Sequence, residues 1–266
     1  MRAFLVWLGV SRGAGGDSVP VPGVAVGCRA QRCNFCDVLY LGMGHAFSEI
    51  ARRNALTDLG GDDATRGVVE DALARVDPIL FVGGGHGSES VFTGQDGEYV
   101  LDSGNSYLMA GRIVLLHSCL TAQRLGPELQ RAGALAYFGY GVEWTWVQDV
   151  DGSDPWSDAY ASAFWRPALK YYIMVGQGYS VGAAHDATYA AYDAGIDEWY
   201  SSGDDYAAEI IKWLAHDRNG MTTLGDPDAT VMGAGGGTPI TPGGGASLIG
   251  VMAAVGVAMI PLLASL

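Results

Sequence analysis

Short apolar runs alternate along the chain with stretches of helical character, and this alternation limits the possible folds more than any other feature. Residues 79–82 (ILFV), 112–117 (RIVLLH) and 134–140 (ALAYFGY) are short and mostly apolar, which is typical of buried strands. Residues 62–76 place apolar side chains at helical spacing, and residues 122–132 are predicted as a second helix. Strands that alternate with helices predict an α/β fold, with a mostly parallel sheet covered by helices on both faces.

Capping and turn signals predict the remaining elements. Asp62 or Asp63 is positioned to cap the helix at 62–76, and residues 95–97 (QDG) are expected to turn a hairpin within 91–101. Residues 3–10 favour a buried first strand over a signal peptide, because Arg12 follows and no small-residue cleavage site is present. Further helices are predicted at 45–54, 154–175, 181–194 and 206–216.

Composition and charge exclude several classes of function. The formal net charge is −14, which argues against binding of nucleic acid and against charge-driven docking on an anionic membrane. Four cysteines in 266 residues do not make a disulfide scaffold. Apolar residues make up 49% of the chain, which is enough for a sizeable core.

The C-terminal part of the sequence predicts a membrane segment. No charged residue follows Asp228; residues 233–245 form a Gly/Pro/Thr-rich linker, and residues 246–266 are 21 uncharged residues. As a helix this segment is about 32 Å long, close to the ~30 Å hydrocarbon core of a bilayer. We therefore expect a single-pass, tail-anchored protein of unknown sidedness, because no Lys or Arg flanks the segment; a buried core helix is the alternative.

Small residues recur at every fourth position of that tail. This stripe suits packing against another membrane helix, so homo-oligomerisation through the tail is an open expectation. Its members are Ala246, Gly250, Ala254 and Ala258.

Two predicted strands end in reactive side chains. Residues 79–82 lead through three glycines to His86 and Gly87, and residues 113–116 lead to His117, Ser118 and Cys119. Parallel strands deliver their carboxyl ends to one edge of a sheet, where active sites form. Neighbouring strands lie about 4.8 Å apart, so His86 and Cys119 would face each other if these two strands are neighbours. An imidazole beside a thiol helps to form or stabilise the nucleophilic thiolate.

The residues around this pair suit acyl transfer. Gly87 allows a close backbone approach, and its N–H together with that of Cys119 is a candidate oxyanion hole. His117 is an alternative base, but an interior histidine held by hydrogen bonds is the simpler interpretation. The alternative for Cys119 is a buried packing residue.

Five segments resemble the gingipain-type and CHAT-type cysteine peptidases of the caspase fold. They are 54–73 (NALTDLGGDDATRGVVEDAL), 79–88 (ILFVGGGHGS), 113–122 (IVLLHSCLTA), 132–140 (AGALAYFGY) and 223–227 (TLGDP). The resemblance implies a caspase-like three-layer domain over residues 1–232 and endopeptidase activity on protein or peptide substrates. It also implies His86 as the family histidine, Cys119 as the nucleophile and Gly87 as the oxyanion-hole glycine. No metal or organic cofactor is expected, and nothing in the sequence indicates calcium dependence.

The substrate pocket is less well defined, because residues 11–40 match no family pattern. Asp37 is a candidate for the base of the pocket and would favour a basic side chain; a solvated loop carboxylate is the alternative. Trp144 and Trp146 are candidate pocket walls, with the core as their alternative location.

Two other motifs give competing hypotheses. Gly178–Gly182 fits the G-x-S-x-G elbow of a serine hydrolase with Ser180 as nucleophile, although no strand is found after it to carry an acid and a histidine. Cys33 and Cys36 form a C-x-x-C near Cys28 and His45, which is a weak zinc signal; a local disulfide and unpaired thiols are the alternatives. A catalytically idle caspase-fold interaction module, clustered at a membrane, is the alternative from another functional class.

Overall fold

A six-stranded sheet organises the chain in the computed structural model, which describes residues 4–8, 43–44, 46, 49–50, 55–147 and 155–232. Its strand order is β2-β1-β3-β6-β7-β8; the first five strands in this order are parallel, and β8 is antiparallel to β7. The strands are β1 Phe4–Leu8, β2 Ala55–Asp58, β3 Leu80–Gly84, β6 Ile113–His117, β7 Ala136–Tyr140 and β8 Met221–Gly225. The predicted mostly parallel α/β architecture is confirmed and is compatible with a caspase-like fold.

Five α-helices and a small hairpin surround this sheet in the described part of the chain. The helices are α1 Arg66–Val76, α2 Leu125–Arg131, α3 Ala159–Gly176, α4 Val181–Ser202 and α5 Ala207–Gly220. The hairpin joins β4 Phe92–Thr93 to β5 Tyr99–Leu101 through a 3₁₀ turn at Gln95–Gly97, as the turn signal predicts. Residues 43–44, 46 and 49–50 are also helical, within the predicted helix 45–54 or just before it.

Side-chain alternation along the central strands creates two separate cores. In β3, Leu80 and Val82 belong to one core, and Phe81 belongs to the other. The same alternation occurs in β6, where Ile113 and Leu115 face the first core. Strands buried on both faces must read as continuous apolar runs, which explains why the sequence identifies them so readily.

The two cores are covered by different helices. The first core is formed with α3, α4 and α5, and its largest buried side chains include Trp165, Tyr172 and Tyr192. The second core lies under α1, α2 and the hairpin, and includes Val69 and Leu129. The result is a layer of helices on each face of the sheet, with the strand ends of β3 and β6 at one edge.

Several predicted boundaries differ from the observed ones. Helix α1 begins at Arg66, and Thr65 rather than Asp62 or Asp63 is its N-cap, because Gly61–Asp63 forms a 3₁₀ turn instead. Helix α3 begins at Ala159, where the Asp158 carboxylate accepts two backbone N–H groups, and not at residue 154. Helix α2 is shorter than predicted, and α4 continues to Ser202.

Strands β2 and β8 are absent from the sequence-based prediction. Strand β2 has only four residues and lies at an edge of the sheet. Strand β8 follows α5 directly, with Gly220 as the last residue of the helix and no loop between the two elements, and only the first residue of the strand is buried. Edge strands of this kind lack the long apolar run that identifies the central strands.

The predicted C-terminal segments are not tested by the structure. The chain divides into two units, Met1–Ala234 and Gly235–Leu266, and all the described residues belong to the first. The linker 233–245 and the apolar segment 246–266 lie outside the described residues. In the part of the chain that is described, no helix is both long enough and apolar enough to cross a membrane.

Candidate active site

Strands β3 and β6 are adjacent and in register, as the candidate site requires. Gly84 pairs with His117 at the carboxyl ends of the two strands, and the Gly85 N–H donates to the His117 carbonyl at 3.2 Å. His86 and Cys119 each follow that pair by two residues. The expectation that these strands are neighbours is confirmed, and the two residues leave the sheet at the same level.

Gly87 packs directly against the residues that contain the thiol. A Cβ atom built on Gly87 would lie 2.7 Å from the Cys119 carbonyl oxygen and 2.7 Å from Thr121 Cγ2, with the Ser118 hydroxyl closer still. These separations are shorter than real Cβ contacts, so only glycine fits without a shift of the backbone. The His86–Gly87 and Ser118–Cys119 segments are therefore in contact, although they are 32 residues apart in the sequence.

Backbone hydrogen bonds from the hairpin fix the segment that contains His86. The His86 carbonyl accepts both the Thr93 N–H at 3.0 Å and the Thr93 hydroxyl at 3.1 Å. The Ser88 N–H donates to the Val91 carbonyl at 3.0 Å. The His86 side chain itself is exposed, so it is accessible to a substrate at the sheet edge.

The predicted oxyanion-hole donors are both backbone N–H groups at this contact. Gly87 pairs with Phe92 in an isolated bridge whose hydrogen bonds are made by its neighbours His86 and Ser88. Among the described backbone hydrogen bonds, neither the Gly87 N–H nor the Cys119 N–H donates to a carbonyl. The Cys119 N–H instead lies close to its own thiol and lowers the pKa of that group. Both N–H groups are candidate donors to a developing oxyanion.

A tight turn holds Cys119 just beyond β6. Leu120 has a φ of +62°, a left-handed conformation that is rare for a residue with a side chain. The Leu120 N–H donates to the Val142 carbonyl at 3.0 Å, and the Thr121 hydroxyl donates to the Ser118 carbonyl at 3.3 Å. Such conformations persist only where the surrounding structure enforces them, and they are common at functional sites.

Cys119 is a free thiol whose surroundings favour the protonated form. It is partly exposed, and its burial raises the pKa of the thiol above its usual range. The backbone N–H groups of Trp144 and of Cys119 itself lower this pKa, whereas the carboxylates of Glu143 and Asp217 add to the increase. Because the thiolate is the nucleophile, reaction near neutral pH requires a base that accepts the thiol proton.

His117 is buried and does not face the sheet edge. Its side chain is 1% exposed and lies among aromatic rings, with the Trp144 ring centroid 4.3 Å away and the Trp165 centroid 5.1 Å away. Burial lowers the pKa of His117 to about 3, so the imidazole is neutral at physiological pH. Its Nδ1 lies 3.3 Å from the Tyr172 hydroxyl, but Nε2 has no hydrogen-bond partner in the described part of the chain. The simpler interpretation as an interior histidine therefore describes His117 better than a role as base.

Of the three predicted pocket residues, the structure describes Trp144 and Trp146, and these two differ in burial. Trp144 is 4% exposed, belongs to the first core and donates from its indole N–H to the Tyr192 hydroxyl at 3.4 Å. Trp146 is half-buried, with its ring 5.6 Å from that of Trp144. Both residues follow β7 on the side of Cys119, whereas Asp37 lies outside the described residues. The sequence alone gives no indication of the effect of the Trp144 backbone N–H, which lowers the pKa of the Cys119 thiol.

The serine-hydrolase hypothesis is wrong, because Ser180 lies between two helices. Ser180 is the N-cap of α4, and its hydroxyl accepts the Ala183 N–H at 3.2 Å. The preceding segment belongs to α3, whereas the elbow motif requires a strand before its serine. The Asp204 carboxylate accepts the Tyr206 N–H at 2.8 Å, and His216 donates from Nε2 to the Glu143 carbonyl at 3.0 Å.

The zinc hypothesis is not tested. Cys28, Cys33, Cys36 and His45 lie outside the described residues. Within the residues that are described, no group of three or more His, Cys, Asp or Glu side chains is arranged to hold a metal ion.

Sequence reasoning did not identify Asp217 and Glu143 as neighbours of Cys119. Asp217 is fully buried in α5, and burial raises the pKa of its carboxyl well above the usual range, although the Thr145 N–H donates to Oδ1 at 3.1 Å. A single Asp in an amphipathic helix normally indicates a solvated face, so no sequence signal distinguishes it. Its position becomes apparent only from the packing of α5 against the loop after β7.

This chain is similar to a solved structure, but it matches no family model and no curated protein. Among solved structures, the chain is similar to the complex of the pro- and mature domains of RgpB from Porphyromonas gingivalis, with 13% sequence identity and a TM-score of 0.48. The match covers 85% of this chain and 47% of the other, so this chain spans about half the length of that structure. A similarity of this size does not by itself assign a function.

Proposed function

We propose that this protein is a cysteine endopeptidase that uses His86 and Cys119 as a catalytic dyad. The observation that carries the proposal is the contact of Gly87 with Ser118 and Cys119 at the ends of two adjacent strands. The segments in contact contain an exposed histidine, a free thiol and two backbone N–H groups that are candidate oxyanion donors. These are the groups that thiol-dependent acyl transfer requires.

The proposed reaction starts with transfer of the Cys119 thiol proton to His86. The thiolate attacks the peptide carbonyl carbon, and the N–H groups of Gly87 and Cys119 stabilise the oxyanion. The His86 imidazolium then protonates the leaving amine as the C–N bond breaks, which gives a thioester on Cys119. Water gives its proton to His86 and attacks the thioester, which releases the new carboxyl terminus and restores the thiol.

The raised pKa of the Cys119 thiol makes the contribution of His86 essential in this scheme. Without a base, only a small fraction of the thiol would be ionised near neutral pH. His117 cannot replace His86, because it is buried behind aromatic rings and its pKa is lowered to about 3.

The uncharged segment 246–266 supports a further part of the proposal, that this peptidase domain is tethered to a membrane by its C-terminal tail. Its support is the length of the segment and its lack of charged residues. The small-residue stripe in the tail supports association between tails.

The proposal is tested by incubating the purified full-length chain in detergent with a mixed peptide library and identifying cleavage products by mass spectrometry. We expect cleavage by the unsubstituted chain, and none above background by Cys119→Ala or His86→Ala. Ser180→Ala is the matched control and should cleave normally, since Ser180 is a helix cap. Loss of cleavage only in Ser180→Ala would reject the dyad. No cleavage by any form would favour the interaction module.

A further inference from the structure

Helix α5 holds the loop after β7 through two side chains close to its end. The Asp217 Oδ1 atom accepts the Thr145 N–H at 3.1 Å. The neighbouring residue, His216, donates from Nε2 to the Glu143 carbonyl at 3.0 Å. These two bonds lie on either side of Trp144, and both are made to the loop backbone. They therefore fix the path of the loop rather than the position of one side chain.

On its other side, the same loop contacts the turn at Cys119 and Leu120, just beyond β6. The Val142 carbonyl accepts the Leu120 N–H, directly after Cys119, at 3.0 Å. The loop thus connects α5 to the turn that carries the thiol. The Trp144 N–H in the same loop lowers the pKa of that thiol, so a shift of the loop would displace both groups.

The buried carboxyl group of Asp217 destabilises the folded protein, so its presence needs an explanation. The residue has no exposed surface, and its Oδ2 has no hydrogen-bond partner among the described residues. A buried carboxyl group with an unsatisfied oxygen destabilises a protein, and an apolar side chain of similar size is often more stable. The interaction that an apolar side chain could not supply is the hydrogen bond to the Thr145 N–H.

We propose that Asp217 is a positioning residue, which holds the loop after β7 against the turn that carries the Cys119 thiol by anchoring the Thr145 N–H. This inference rests on the proposed role of Cys119 as the nucleophile. Helix α5 lies beside the sheet, and through Asp217 it then influences the reactivity of the thiol at the sheet edge.

The test compares two variants that both lack the carboxylate charge. Asp217→Asn keeps an oxygen that can accept the Thr145 N–H, whereas Asp217→Ala does not. The readout is the rate at which iodoacetamide alkylates Cys119 at pH 7, measured by peptide mapping of the full-length chain. We expect alkylation of Cys119 to be about fivefold slower in Asp217→Ala than in Asp217→Asn, because the loop that contains the Trp144 N–H, which lowers the pKa of the thiol, is then no longer anchored. Peptide cleavage should fall by a similar factor.

Two further variants make the result decisive. Asp217→Ser keeps a buried polar group that is too short to reach Thr145, so it should behave like Asp217→Ala even if the latter fails to fold. Val69→Ala creates a cavity in the second core, on the opposite face of the sheet, and should lower stability without changing the alkylation rate.

Equal alkylation rates in folded Asp217→Asn and Asp217→Ser would overturn the positioning role. A slower rate in Val69→Ala as well would also overturn it, because the effect would then follow general stability. The readout needs no peptide substrate, so a failure of the peptidase proposal leaves this test valid. Normal cleavage together with equal alkylation rates would reject the positioning role alone.

Discussion

Replacing Gly87 by alanine should lower kcat/KM for peptide cleavage by about 10²–10³-fold. The added Cβ would lie 2.7 Å from the Cys119 carbonyl oxygen, which is backbone and cannot rotate away. The His86–Gly87 segment must therefore move away from Ser118 and Cys119. This separates the base from the thiol and displaces an oxyanion donor in a single substitution.

Gly67→Ala is the matched control for that substitution. A Cβ on Gly67 would have no atom within 4 Å, and the residue lies in the exposed first turn of α1. This variant should cleave peptides at the normal rate and be slightly more stable. Steady-state kinetics on a peptide taken from the library, with circular dichroism to confirm folding, gives the comparison. If Gly87→Ala retained a third or more of the normal kcat/KM, the proposed contact would have no catalytic role.

Lowering the pH from 7 to 4 should cost the folded protein about 3 kcal/mol through His117 alone. The pKa of His117 is lowered from 6.5 in the unfolded chain to about 3 in the folded protein, since burial disfavours the imidazolium. Between these two values the unfolded chain binds a proton that the folded protein excludes. Stability is therefore fully present above pH 6.5 and is lost as the pH falls toward 3.

Asp217 contributes with the opposite sign. Its pKa is raised in the folded protein, so its contribution to stability is present below pH 3.8 and is lost as the pH rises through the raised value. The effect of His117 must therefore be isolated by substitution and not read from the unsubstituted protein alone.

His117→Phe provides that isolation, because it keeps an aromatic ring without a titrating nitrogen. Urea unfolding at pH 7 and pH 4 should give a smaller loss of stability for His117→Phe than for the unsubstituted chain, by about 3 kcal/mol. Tyr140→Phe, in the same aromatic cluster, should lose as much stability as the unsubstituted chain. An equal loss in His117→Phe would mean that His117 is not buried in the neutral form.

Burial on both sides of the sheet explains which parts of the fold were predictable. Strands β3, β6 and β7 are buried throughout, so their sequences are continuous apolar runs bounded by glycine or polar residues. The parallel arrangement then places His86 and Cys119 at one edge, as the sequence indicates. Strand β8 has three half-buried residues in its centre, and its sequence alone does not distinguish it from a loop.

The site was predictable only where its chemistry lies next to a strand end. Gly87 could be assigned from its place after His86, and the structure adds the close contact that requires a glycine there. Asp217 could not be assigned, because its importance arises from the packing of α5 against a distant loop. Residues that act through tertiary contacts leave no local pattern in the sequence.

The most direct test of the central claim is covalent capture of the nucleophile. The full-length chain is incubated with a mixture of peptidyl acyloxymethyl ketones, and the modified residue is identified by peptide mapping. We predict one adduct, on the Cys119 sulfur, that forms at least about a hundredfold more slowly in His86→Ala. Labelling of another residue, or labelling of Cys119 at the same rate without His86, would contradict the proposed dyad.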